Sequence, residues 1–124
     1  MSGVNSMRDH PINAQDIVFK SLTETLHKTK FGKEHEIDTH SYLISENVFR
    51  TQIPIRTYDE IKPWILRARE GELDVLWPGK VSWFAKTSGT TSDRSKILPV
   101  TKESLKSNHY KGGRDLLAMF CDEK

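Results

Sequence analysis

Phe84-Ala85-Lys86-Thr87-Ser88-Gly89-Thr90-Thr91-Ser92-Asp93-Arg94-Ser95-Lys96 is a β-like run that breaks into a hydroxyl-rich loop around Gly89 and closes on a lysine. Ser88 to Thr91 are all small or hydroxylated, so backbone N–H groups and side-chain hydroxyls crowd into one short loop. Gly89 lets the backbone approach a ligand without a Cβ in the way. Lys86, Arg94 and Lys96 add positive charge, and one such charge about 4 Å from a phosphate oxygen is worth roughly 4 kcal/mol at an effective dielectric near 20. Donors and charge gathered in this way suit a polyphosphate.

The flanks place the loop between two strands. Val81 to Thr87 alternates well enough for a strand, Pro78-Gly79 before it signals a turn, and Leu73 to Trp77 suits a short extended segment. Ile97-Leu98-Pro99-Val100 predicts a second short strand, which Pro99 pushes to an edge. Thr101 can then cap a helix running to about Phe120, with Leu105, Leu116, Leu117 and Phe120 on one side. Gly112 and Gly113 fall inside it at about 1 kcal/mol each relative to Ala. Close approach of another backbone is the expected compensation.

Upstream, residues 1–12 form a polar leader, and residues 13–124 form the folded part. Asn13 can cap a helix carrying Ile17, Val18, Leu22 and Leu26, with Lys28 and Lys30 in its last turn and Gly32 at C′. Residues 33–40 are a polar connector, and a short helix is expected around Tyr42 to Phe49. Thr57-Tyr58-Asp59-Glu60 is a capping box opening a helix with Ile61, Trp64, Ile65 and Ala68 on one face and Gly71 at its end. Pro63 should kink that helix or split off its first turn.

Composition bounds the class. At 124 residues a folded chain buries about two thirds of its unfolded surface. Only 35% of residues are hydrophobic, and adding seven glycines still leaves the chain below the typical 45–50%, so the core should be thin. Lys and Arg number 19 against 17 Asp and Glu, interspersed in sign, which is no nucleic-acid footprint. One cysteine, Cys121, excludes an internal disulfide, and no apolar run reaches signal-peptide or membrane-span length, so the cytoplasm is the expected compartment.

Other chemistry-bearing residues have plainer readings. His35 and His40, with Glu36 and Asp38 between them, lack a third ligand at a recognised spacing, so no metal site is assigned. Trp64, Trp77 and Trp83 are expected as core anchors, and His109 and Tyr110 as packing or surface residues. The loop lacks the second glycine of a Walker motif and the three spaced glycines of a dinucleotide fingerprint.

Thr87-Ser88-Gly89-Thr90-Thr91-Ser92 followed by Lys96 resembles the phosphate-binding signature of adenylate-forming enzymes. The flanks narrow the resemblance: Leu76-Trp77-Pro78-Gly79-Lys80, Trp83-Phe84-Ala85-Lys86, Pro99-Val100-Thr101-Lys102-Glu103 and His109-Tyr110-Lys111-Gly112-Gly113 are similar to bacterial members of the auxin-responsive promoter family of acyl-acid amido synthetases. Lys30-Phe31-Gly32-Lys33 and Thr57 to Trp64 fit the same family, so the resemblance runs from about Val18 to Phe120. Adenylate-forming enzymes commonly have Gly where this loop has Ser92, and plant amido synthetases have Gly at the position of Asp93, which is left out of the binding set.

The resemblance implies an α/β fold: the N-terminal portion of an adenylate-forming enzyme's large domain, with helices flanking a short strand pair that bears a phosphate-binding loop. It implies ATP and Mg²⁺ as cofactors, with Thr87, Ser88, Gly89, Thr90, Thr91, Ser92 and Lys96 holding the phosphates. It implies a ligase that activates a carboxylic acid as an acyl adenylate and passes the acyl group to an amine. Family members are several times longer, so the chain is expected to be an N-terminal fragment without turnover of its own. Transfer to coenzyme A, and a non-catalytic interaction module, are the alternatives.

Overall fold

In the computed structural model, which describes residues 2–37, 44–88 and 95–122, the chain divides into two compact units: Met1–Phe19 with Thr101–Lys124, and Lys20–Val100. The elements are α1 (Ser2–Asp9), α2 (Pro11–Leu26), α3 (Lys30–Glu34), α4 (Glu46–Gln52), α5 (Tyr58–Arg69), β1 (Trp83–Lys86), β2 (Ile97–Val100), the single turn α6 (Lys102–Ser104) and α7 (Lys111–Asp122). The two strands form one antiparallel pair. Helices with a small sheet are compatible with an α/β assignment. No helix among the described residues is long and apolar enough to cross a membrane.

The core of the Lys20–Val100 unit is Phe31, Trp64, Ala68 and Val75, joined by half-buried Leu26, Ile53, Ile61, Leu76 and Phe84. Helix α5 supplies its largest side chain, Trp64, whose ring meets Phe31 edge-on at 5.1 Å. The Glu60 carboxylate accepts from the Thr57 N–H at 2.6 Å and the Thr57 hydroxyl at 2.7 Å, so the predicted start of α5 is in place. Those bonds, the backbone one first, hold the Glu60 carboxyl below its ordinary pKa. The helix runs unbroken through Pro63. Gly71, at φ +95°, ends it, with its N–H on the Ala68 carbonyl and the Glu72 N–H on that of Arg67, the paired bonds of a Schellman motif.

Helix α2 departs from expectation at both ends. It starts at Pro11, where a missing N–H matters least, rather than after an Asn13 cap. It ends at Leu26 because fully buried Thr29 turns back on it: the Thr29 N–H and hydroxyl donate to the Leu26 carbonyl at 2.9 and 2.7 Å. The same hydroxyl accepts from the Gly32 N–H at 3.0 Å and opens α3. Gly32 is therefore inside a new helix, not at a C′ position, and a Cβ there would lie 2.1 Å from the Leu26 oxygen.

Residues 73–77, expected to be extended, are a compact turn. Asp74, at φ +58°, accepts the Gly79 N–H on its carboxylate at 2.6 Å. The carbonyls of Asp74 and Val75 accept the Lys30 and Phe31 N–H groups at 2.6 and 3.1 Å, so the turn satisfies the start of α3.

One ion network ties these pieces together. The Glu72 carboxylate accepts from Arg67 Nε at 2.8 Å and Nη2 at 2.7 Å, and from Lys30 Nζ at 2.7 Å. Arg67 first and Lys30 second pull the Glu72 pKa from 4.5 down to about 2. Because the folded value lies below the unfolded one, the stabilisation is complete above 4.5 and is lost as pH falls from there through about 2. Thermal melts of wild type and Glu72→Gln should accordingly differ at neutral pH and converge across that acid window. High salt should narrow the difference, since the groups are partly exposed.

In the other unit the Thr101 hydroxyl accepts the Ser104 N–H at 3.0 Å, as predicted. Leu105–Tyr110 is π-helical, a wider turn that periodicity did not reveal, and α7 continues from it. A Cβ on Gly112 or Gly113 would meet nothing within 4 Å, so no close backbone approach among the described residues compensates these glycines.

Candidate functional site

The ladder pairs Trp83 with Val100, Phe84 with Pro99, Ala85 with Leu98 and Lys86 with Ile97. One step further, the Thr87 N–H donates to the Lys96 carbonyl at 2.9 Å. In return the Lys96 N–H donates to the Thr87 hydroxyl, also at 2.9 Å. A side-chain oxygen here takes the place of the carbonyl that a regular ladder would use. It leaves the hydroxyl hydrogen available to a ligand. Thr87 and Lys96 are thus the closing pair from which residues 88–95 depart.

Thr87→Val, which keeps shape and removes the acceptor, should cost about 1 kcal/mol. It should speed hydrogen exchange at the Lys96 amide, whereas Thr87→Ser leaves that amide protected.

Of the predicted binding residues, Thr87 and Lys96 are half-buried and Ser88 is exposed. Gly89, Thr90, Thr91 and Ser92 lie outside the described residues. The two-residue period of the ladder puts Thr87 and Lys96 on one face with Ala85, Leu98 and Trp83, and puts Lys86 on the other with Phe84 and Ile97. Lys86 and Lys96 therefore do not share a face, contrary to their grouping by sequence proximity. Trp83 is 47% exposed and is not a core anchor, while Phe84, its neighbour on the opposite face, packs on the core.

Sequence reasoning missed Tyr58, the first residue of α5. Its hydroxyl accepts the Ile97 N–H at 2.9 Å and donates to the Ile97 carbonyl at 3.2 Å. Its ring lies under the Lys96 ammonium, 5.6 Å from the centroid. Nothing local signals this, because the partners are 39 residues apart.

His35, considered above for metal binding, is engaged otherwise. Arg56 donates to its Nε2 at 2.6 Å, which leaves Nδ1–H to donate to the Phe31 carbonyl at 2.7 Å, and its ring stacks on Phe31 at 4.1 Å.

Among the described residues, the strand ends and loop base from Phe84 to Ser88 and Ser95 to Val100 carry hydroxyls and lysines and no carboxylate.

Comparison with known proteins bears on what carries such a loop. The chain is similar to indole-3-acetic acid-amido synthetase GH3.2 of Arabidopsis thaliana, 24% identical over 103 residues that make up 82% of this chain and 18% of that protein. It is also similar to indole-3-acetic acid-amido synthetase GH3.6 of the same plant, 28% identical over 103 residues, 80% of this chain and 16% of that one. Jasmonoyl–L-amino acid synthetase JAR4 of Nicotiana attenuata is 33% identical over 60 residues, 48% of this chain and 10% of its own. The chain thus spans less than a fifth of the length of these relatives. No solved structure matches it. The profile of the GH3 family N-terminal domain matches residues 1–124, and the chain belongs to the GH3 family.

Proposed function

We propose that this domain supplies the ATP phosphate grip of a ligase that activates a carboxylic acid and transfers its acyl group to an amine. The observation that carries the proposal is the closed base of the loop: Thr87 and Lys96 are bonded to each other at 2.9 Å in both directions, so the loop leaves and re-enters the sheet at fixed points. Support from kinship is that the relatives named above are, by their names, indole-3-acetic acid-amido synthetases and a jasmonoyl–L-amino acid synthetase.

Attack of a carboxylate on the α-phosphate would gather negative charge on the departing pyrophosphate, and fixed donors and cations lower that barrier. The Thr87 and Ser88 hydroxyls would donate to phosphate oxygens, Gly89, Thr90, Thr91 and Ser92 would complete the proposed binding set, and Lys96 would supply an ammonium. Mg²⁺ would enter with the nucleotide and screen phosphate charge. The 124 residues by themselves should lack turnover, since they span less than a fifth of the length of the relatives named above. The test is ATP–pyrophosphate exchange by the full-length polypeptide across a panel of carboxylic acids. Acid-dependent exchange is the expected result, and its absence with every acid would count against adenylation.

A further inference from the structure

We propose that Tyr58 is the positioning residue for Lys96, fixing the adjoining Ile97 backbone and the Lys96 ammonium before any phosphate arrives; this rests on the phosphate-grip reading of the loop. Because the Thr87 N–H goes to the Lys96 carbonyl, the hydrogen-bonded pairs of the ladder are 87 with 96, 85 with 98 and 83 with 100. Ile97 lies between them and turns its N–H and carbonyl away from β1. Both outward groups are bound by one phenol oxygen, at 2.9 and 3.2 Å. The next outward position along β2 is Pro99, which has no N–H. The phenol therefore takes the only N–H that the strand offers on that edge, next to the lysine.

The second link is the ring. At 5.6 Å from the centroid, the ammonium lies within the roughly 6 Å over which a ring face attracts a cation. Pinning a lysine side chain costs rotamer entropy, and partial confinement beforehand lowers what phosphate binding must overcome. Tyr58 can do this because it is itself immobile. It opens α5 beside the Glu60–Thr57 bonds, and α5 is anchored through buried Trp64, Ile65 and Ala68.

The test is a double-mutant cycle in the full-length polypeptide, read as affinity for MgATP. Tyr58→Leu should weaken binding by about tenfold when Lys96 is present and by less than about twofold in the Lys96→Ala background. Tyr58→Phe keeps the ring and loses the bridge, so it should fall between, by about threefold, with faster exchange of the Ile97 amide. It serves as the reporter should the leucine variant fail to fold. Equal losses with and without Lys96 would overturn the positioning role, as would full affinity in Tyr58→Phe and Tyr58→Leu. A Lys96→Ala variant with unaltered affinity would overturn the phosphate-grip reading and this inference with it.

Discussion

Lys96→Ala is expected to lower carboxylic-acid-dependent ATP–pyrophosphate exchange by about two to three orders of magnitude, the range typical for removing one preorganised group that meets developing charge. The structure gives reasons for an effect of this size rather than a mild one. Lys96 stands where the loop rejoins the sheet, with its carbonyl and N–H both bonded to Thr87, so its Cα is held in place. Lys96 is half-buried and its ammonium lies over the Tyr58 ring, so under the proposed role it would meet phosphate in a partly desolvated setting, where each charge counts for more than in water. Lys96→Arg should recover only part of the loss, because a planar guanidinium on a three-carbon stem does not occupy the same point over the ring as the lysine ammonium. The loss should appear in the rate constant more than in the acid's apparent affinity. Exchange that is unchanged in Lys96→Ala would remove the residue from its proposed role.

The second large effect concerns stability. Gly32→Ala should destabilise the Lys20–Val100 unit by about 3 kcal/mol, at the upper end of what overpacking costs. The added methyl would sit 2.1 Å from the Leu26 oxygen and 2.8 Å from its carbonyl carbon, and both are backbone atoms. They cannot retreat cheaply, since Thr29 holds that oxygen by two hydrogen bonds and is itself fully buried. With domain stabilities of about 5–15 kcal/mol, such a loss is a substantial share. Gly71→Ala provides the contrast: nothing lies within 4 Å, but φ is +95°, so it should cost about 1 kcal/mol through backbone strain alone. Urea denaturation of the three proteins checks the order, and a Gly32→Ala as stable as wild type would show that α3 does not sit against the end of α2 as described.

These contrasts mark what the amino-acid order reveals. Rules confined to a few neighbouring residues read correctly: Thr57 with Glu60 at the start of α5, Gly71 at its end, Gly79 in a turn, Thr101 as a cap, and Ile97–Val100 as a strand. Each except the strand depends on bonds spanning three to five residues. Where a distant partner decides, the sequence misled. Gly32 after Lys28 and Lys30 has the signature of a helix end, yet the helix stops earlier because Thr29 captures the Leu26 carbonyl and α3 then docks on residues 74 and 75. Residues 73–77 have strand-like composition, yet their carbonyls serve α3.

The candidate site divides along the same line. Hydroxyls, glycine and lysine in tandem are visible as composition, and of the flanking strands the first is visible as alternation and the second as a short apolar run. Tyr58 is not, since its two bonds to Ile97 and its ring contact with Lys96 exist only once α5 lies beside β2. Lys86 errs in the opposite direction: adjacent in sequence to Thr87, it belongs to the other face because strand side chains alternate.

The most direct test of the central claim is amide hydrogen exchange over residues 87–96 of the full-length polypeptide, with and without MgATP. Slowed exchange in that peptide, abolished by Lys96→Ala, is the predicted result. Identical exchange in the two conditions, at nucleotide concentrations that saturate the protein, would contradict a phosphate-holding loop.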